Sequence, residues 1–178
     1  APRLVFPNAQ FLTSRQAWER AQAPHLRDRA SFIETIVRLL ADSGRLHLVE
    51  EGKNSHKLLP ESFYLRQSQG HTAGMLIPTL EGQVHRATFC ADLVPGTAWT
   101  HLPITMGYDR FAERLIDEKR GLFEAVGEGS WLLYTHDPVV AAGQLSRDEE
   151  GRYRVVDPQG QLDQWDLDED AAPPSCHG

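Results

Sequence analysis

A mixed α/β domain, in which helices pack on a sheet, is the fold class that the sequence predicts. Three observations point to it. Short apolar runs recur along residues 1–157 and alternate with two stretches of helical periodicity, with no repeat or long linker between them. The length of 178 residues suits one domain with a decoration and leaves little room for two full-sized units. A composition of 40% hydrophobic and 24% charged residues is that of a globular chain rather than a disordered, fibrous or membrane one.

Local signals predict the elements in chain order. Phe11 and Leu12 end a strand, and Thr13 with Gln16 has the capping-box spacing that starts a short helix carrying Trp18. Ser31 and Glu34 repeat the signal. Ile33, Ile36, Val37 and Leu40 then mark one helical face, and Gly44 stops it. Leu46 to Val49 reads as a strand, and Ser62 to Gln67 as another with Phe63 and Leu65 on one face. Met75 to Leu80 and Gln83 to Ala91 flank Glu81-Gly82, a hairpin signature. Pro78 has no N–H to give a ladder, which places the first of the two at an edge or a bulge. Residues 93–107, rich in Pro, Gly and Thr, follow no regular period. Asp109 is expected to cap a long amphipathic helix with Leu115, Ile116, Lys119, Leu122, Phe123 and Val126 on its inner stripe, Lys119 at the margin, and Gly127 or Gly129 at its end. Trp131 to Thr135 is a compact strand, and Gln144-Leu145 with Arg152 to Val156 form a last hairpin around Glu150-Gly151. Residues 158–178 turn acidic and then Pro-containing, and are expected to be a mobile tail outside a domain of residues 1–157.

Composition also excludes functions. No apolar run approaches the roughly 20 residues that cross a bilayer. The formal charge of −7 and the isoelectric point near 5.6 offer no basic footprint for nucleic acid. Cys90 and Cys176 are too far apart in sequence and setting to suggest a disulfide framework. The chain opens Ala1-Pro2-Arg3 with neither an initiator Met nor a signal pattern. A processed or internal start and a cytoplasmic location are therefore expected.

Three residues of metal-ligand type stand where a strand ends: His71, Asp92 and His136. Such ends are held by the sheet yet face solvent, so they form the natural rim of a site. His71 lies in Gly70-His71-Thr72-Ala73-Gly74, whose glycines permit a tight turn that lets the imidazole project. Asp92 closes the run from Ala87 to Ala91, an unusual place for a carboxylate unless it is paired or ligated. His136 follows Trp131 to Thr135 and precedes Asp137-Pro138. Imidazole and carboxylate donors suit zinc, and also iron or manganese. Cys90, two residues before Asp92, would share its strand face and could touch the site, although a small buried hydrophobe is the commoner state of a free Cys. Tyr108 and Asp109 are candidates for lining a substrate pocket, with the helix cap the favoured reading of Asp109, and Thr72 and Asp137 for supporting the ligands beside them. Ser175-Cys176-His177 sets a nucleophile beside a base with nothing rigid to hold them, which argues against catalysis there. The acidic run Asp163 to Asp170, with Trp165 and Leu167 interleaved, has the pattern of a solvated tail, with a docking segment as the alternative.

Phe6-Pro7-Asn8-Ala9, Gly70-His71-Thr72-Ala73-Gly74-Met75, Phe89-Cys90-Ala91-Asp92-Leu93, Met106-Gly107-Tyr108-Asp109 and Tyr134-Thr135-His136-Asp137-Pro138 occur in that order. With them the sequence resembles the central and C-terminal part of a metallo-β-lactamase-fold hydrolase, over roughly residues 4 to 157. The resemblance implies a four-layer αββα sandwich lacking its N-terminal strands. It implies His71 as the third histidine of a first metal site, Asp92 as the carboxylate bridging two metals, and His136 as the last histidine, on the second metal. It further implies up to two zinc ions, a bridging water that attacks a carbonyl carbon, and a small-molecule ester, lactone or thioester as substrate rather than a β-lactam.

The same family carries an HxHxDH motif upstream of the Phe-Pro-Asn-Ala segment, and residues 1–178 contain none. His25, His47, His56, His85 and His101 are isolated and read as surface or supporting residues. Two expectations follow. Either a preceding segment, or a second copy, supplies the rest of the site, or the chain is a degenerate noncatalytic metal-binding or interaction module; the Ala1-Pro2 start favours the first.

Overall fold

The computed structural model describes residues 2–170; Ser175, Cys176 and His177 lie outside them. In chain order the elements are β1 (Phe11–Ser14), α1 (Arg15–Gln22), α2 (Glu34–Asp42), β2 (Leu46–Val49), β3 (Phe63–Ser68), β4 (Met75–Glu81), β5 (Arg86–Phe89), α3 (Ala112–Val126), β6 (Trp131–Leu133), β7 (Ala142–Arg147) and β8 (Tyr153–Gln159). β1 and β2 pair in parallel as a small sheet. β3 to β8 form a six-stranded mixed sheet in sequence order, antiparallel except between β5 and β6. α1 and α2 pack beside the small sheet, which meets the large one where β1 contacts β4.

The β5–β6 pairing has a topological cause: parallel neighbours need a crossover, and here α3 makes it. α3 lays Leu115, Leu122, Phe123 and Val126 onto Ile77, Leu132, Leu145 and Tyr153 of the sheet. Each such side chain contributes about 1.5–3 kcal/mol by leaving water. Strand directions then place the loops. β4 runs against β3 and against β5, and β6 runs with β5, so β3, β5 and β6 all end on the same side of the sheet. The turn after β3 and the segments after β5 and β6 carry His71, Asp92 and His136.

Several expected boundaries shift, each for a local reason. The cap of α1 is Ser14, whose hydroxyl accepts from the Ala17 N–H at 3.0 Å, one residue later than Thr13. Ser31 ends a 3-10 turn and α2 starts beyond it, with Ile33 at its cap position. β5 stops at Phe89 because Ala91 takes a left-handed φ of 44°. Pro78 lies in an interior strand, but the β4–β5 ladder spans only Thr79 to Glu81, so at Pro78 only β3 is paired. Asp109 does not cap α3, whose cap position is Phe111. Lys119 is not marginal: it is fully buried.

The expected mobile tail is docked over its described part. β8 runs to Gln159, past residue 157. Leu162, Trp165 and Leu167 then cover Ala87, Trp131 and Ala142 on the face of the sheet away from α3, with the two tryptophan rings 5.1 Å apart edge to face. The Leu167 carbonyl accepts from the N–H groups of Val84 and His85, and Asp168 from that of Gln83, so the tail straps the β4–β5 turn.

Candidate metal centre

His71, Asp92 and His136 converge at the common end of β3, β5 and β6. The Asp92 carboxylate lies between the two imidazoles. His71 Nε2 is 3.2 Å from Oδ2, and His136 Nε2 is 3.1 Å from Oδ1. His71 is mostly buried, Asp92 a third exposed, and His136 at 62% exposure opens to solvent.

Each ligand-type side chain is fixed from behind. His71 turns its Nδ1 to Asp109 Oδ1 at 2.8 Å, and Asp109 is buried with its other oxygen taking the Met106 N–H at 2.6 Å. A carboxylate on the rear nitrogen sets the tautomer and the ring orientation. The turn that carries His71 is gripped by α3: Glu118 accepts from the Ser68 hydroxyl and from the Gln69 and Gly70 N–H groups. The Gly70 carbonyl accepts in turn from the N–H groups of Arg110 and Phe111. Gly70 permits this approach, since a Cβ there would stand 2.5 Å from Leu115 Cα. Gly70→Ala is therefore expected to destabilise the fold by roughly 1–3 kcal/mol, the usual penalty of overpacking, and denaturant unfolding checks it.

On the other side, the His136 N–H donates to the Pro95 carbonyl at 2.9 Å. Asp137 accepts from the N–H and hydroxyl of Thr97 and from the N–H groups of Val139 and Val140. Burial opposes its ionisation, but these donors prevail and bring its pKa down to about 2. Lys119 reaches from α3 into the 97–104 segment and gives its ammonium protons to the carbonyls of Trp99, His101 and Ile104. Burial lowers its pKa to about 8, with Asp109 acting in the opposite sense, so it is charged at neutral pH.

The charges of the centre are coupled. Burial disfavours the His71 imidazolium, but Asp92 and Asp109 outweigh it and raise its pKa above the ordinary value. The Asp92 carboxyl is lowered, first by the His71 hydrogen bond, with burial opposing and His136 adding to the effect. Tyr108, 65% exposed, sets its ring edge-on to His71 at 5.9 Å. Thr72 follows in the same turn, partly buried. Cys90 is fully buried in the core beside α3, and burial pushes its thiol up to about 12, so it behaves as a small hydrophobe. The five isolated histidines have other surroundings: His25 and His56 accept neighbouring N–H groups, His47 pairs with Gln10, His85 lies against Trp165, and His101 lends its carbonyl to Lys119. Asp109, Glu118 and Lys119 have roles that spacing did not signal; the two helix residues differ from solvated ones only in their tertiary partners.

The donor set can be tested against a metal. Among the described residues no group of three or more His, Cys, Asp or Glu stands in a metal-holding arrangement. Two donors about 2.0–2.1 Å from one ion at the tetrahedral angle lie about 3.3–3.4 Å apart, and the Nε2-to-carboxylate separations of 3.2 and 3.1 Å are slightly shorter than that. The residues fit as half of a site, with two donors toward each of two positions.

No family model matches the sequence, and no curated protein does. Solved structures do, and those compared here are hydrolases that are metal-dependent, dizinc or of the β-lactamase superfamily: the mixed α+β architecture is that of the metallo-β-lactamase fold. A probable metal-dependent hydrolase from Staphylococcus aureus matches with a TM-score of 0.71 and 25% identity, over 87% of this chain and 55% of that one. AidC, a dizinc quorum-quenching lactonase, matches with a TM-score of 0.67 and 17% identity, over 90% and 58%. The hydrolase AbOPH of the β-lactamase superfamily matches with a TM-score of 0.68 and 17% identity, over 89% and 57%. The chain thus spans a little over half the length of each. Among the described residues, no helix is long and apolar enough to cross a membrane.

Proposed function

We propose that the chain supplies the His71–Asp92–His136 side of a hydrolytic metal centre, zinc above all and iron or manganese as alternatives, acting on a small ester, lactone or thioester in the cytoplasm. The observation that carries it is the Asp92 carboxylate with one imidazole Nε2 on each oxygen. Its support is the fold shared with metal-dependent hydrolases. Bound metal ions supply an acidified water and polarise the scissile carbonyl. Asp92 would hold both ions, with His71 on one and His136 on the other. Asp109 keeps His71 Nε2 facing Asp92, and the Asp137–Thr97 hydrogen bonds hold the backbone that presents His136. Tyr108, beside His71 and exposed, would lie against the substrate. Two donors per position are fewer than the three protein ligands of a catalytic zinc site, so another segment or a second copy completes each set.

Zinc titration of the purified chain by calorimetry, followed by assay on a simple aryl ester and a lactone, tests this. About two zinc ions bound with measurable turnover is the expected result once the remaining donors are present. Binding without turnover in any such assembly would favour the noncatalytic metal-binding module. No binding at all once the remaining donors are present would overturn the proposal.

A further inference from the structure

We infer that Asp28, far from the centre in sequence, is a positioning residue that holds Asp109 on His71; this rests on the centre being a metal site. Asp28 lies in the connection between α1 and α2, with its side chain 16% exposed. Its Oδ2 accepts from Arg20 Nε of α1 at 2.8 Å and also from Arg110 Nη2. Arg110 has two further roles: its own N–H holds the Gly70 carbonyl beside His71, and its neighbour Asp109 holds the His71 ring. A single carboxylate therefore fixes, through one guanidinium, the segment that orients His71 from behind.

The rest of the connection contributes less. Arg27 donates to the carbonyls of Gly107 and Asp109, but at 3.3 and 3.4 Å and from an exposed position. Arg20 and Arg27 both lie near enough to act on Arg110, so loss of the Asp28 charge would leave like charges facing at the Asp109 segment. Stability alone does not call for this network. Asp28 Oδ1 and Arg20 Nη2 are buried without hydrogen-bond partners among the described residues. Apolar groups of similar volume often replace such buried pairs without loss of stability. What the ionic version adds is direction: the Arg110 guanidinium must point at Asp28, and the backbone of residues 109–110 follows.

Asp28→Asn, Asp109→Asn and the double variant test this with two readouts. In zinc calorimetry, Asp28→Asn is expected to weaken binding about tenfold, the lower end of what outer partners of ligands give, and the double variant to be no weaker than Asp109→Asn alone. In the metal-free chain, hydrogen exchange of residues 69–74 and 106–111 is expected to speed up in Asp28→Asn while β7 and β8 keep the wild-type rate. A further variant, Arg20→Met with Asp28→Leu and Arg110→Met, separates position from stability. It should regain the wild-type melting temperature without regaining zinc affinity. Additive losses, unchanged exchange in residues 69–74, or full zinc affinity in the apolar variant would each overturn the role of Asp28. A wild-type chain that binds no zinc even with the remaining donors present would instead refute the metal site, and the exchange data alone would then decide the role of Asp28.

Discussion

Asp92→Ala is expected to lower zinc affinity by more than the roughly 10–100-fold that loss of an outer partner costs, and by more than His71→Ala or His136→Ala, as read by calorimetry. Each histidine faces one oxygen of Asp92, whereas Asp92 faces both histidines, so its loss removes a donor from both positions at once. The fold should survive. Asp92 is a third exposed, His136 opens to solvent, and His71 keeps Asp109 as a partner. In the metal-free chain the variant should show a pH signature. The Asp92 pKa is lowered from 3.8, so its contribution is present above that value and lost as pH falls through the lowered one. The His71 pKa is raised from 6.5, so its contribution is complete below that value and lost as pH rises through the raised one. The gap in melting temperature between wild type and Asp92→Ala should therefore be widest between pH 3.8 and 6.5 and narrow on either side.

The second large effect is on stability. Lys119→Met keeps most of the side-chain volume but removes the donors for the carbonyls of Trp99, His101 and Ile104. Polar groups stranded at a buried site cost about 1–3 kcal/mol each when fully orphaned, and solvent reaches part of this segment, so a total near 3–5 kcal/mol is expected. For a chain of this size that is on the order of 10 °C in melting temperature, which thermal denaturation checks. Its pH dependence has a defined sign. Lys119 titrates near 8 in the fold against 10.5 when exposed, so between those values the unfolded chain binds more protons. The stability of wild type relative to Lys119→Met should accordingly rise as pH climbs from 8 to 10.5, with every group other than Lys119 cancelling in the difference.

The sequence displays the centre better than its supports. His71, Asp92 and His136 are legible because a side chain at the end of a strand is announced by punctuation: Gly70 and Gly74 around the first, the end of an apolar run before the second, Asp137-Pro138 after the third. Asp109 reads first as a helix cap, since its spacing fits one, with a place in a pocket lining as the alternative, and nothing local reveals that its carboxylate turns to a histidine 38 positions away. Lys119 falls beside the apolar stripe of α3, and helical period alone puts a lysine there at the water's edge. Only the path of residues 99–104 across the helix makes it a core residue. The same holds for the tail: an acidic run reads as solvated, yet its interleaved Leu162, Trp165 and Leu167 find an apolar face formed by β5, β6 and β7. Contacts across such distances depend on the order in which strands assemble, which no short window contains.

The shared direction of β3, β5 and β6 has a kinetic consequence. His71 and His136 are 65 positions apart and meet only once the β5–α3–β6 crossover has closed, which is the non-local and therefore slow kind of event in folding. Under the proposed metal reading, an ion would meet both oxygens of Asp92 with their imidazoles only in the assembled sheet, so its binding would stabilise the native chain in proportion to the logarithm of its concentration. Such an ion would tie the closing of the crossover to the stability of the whole sheet.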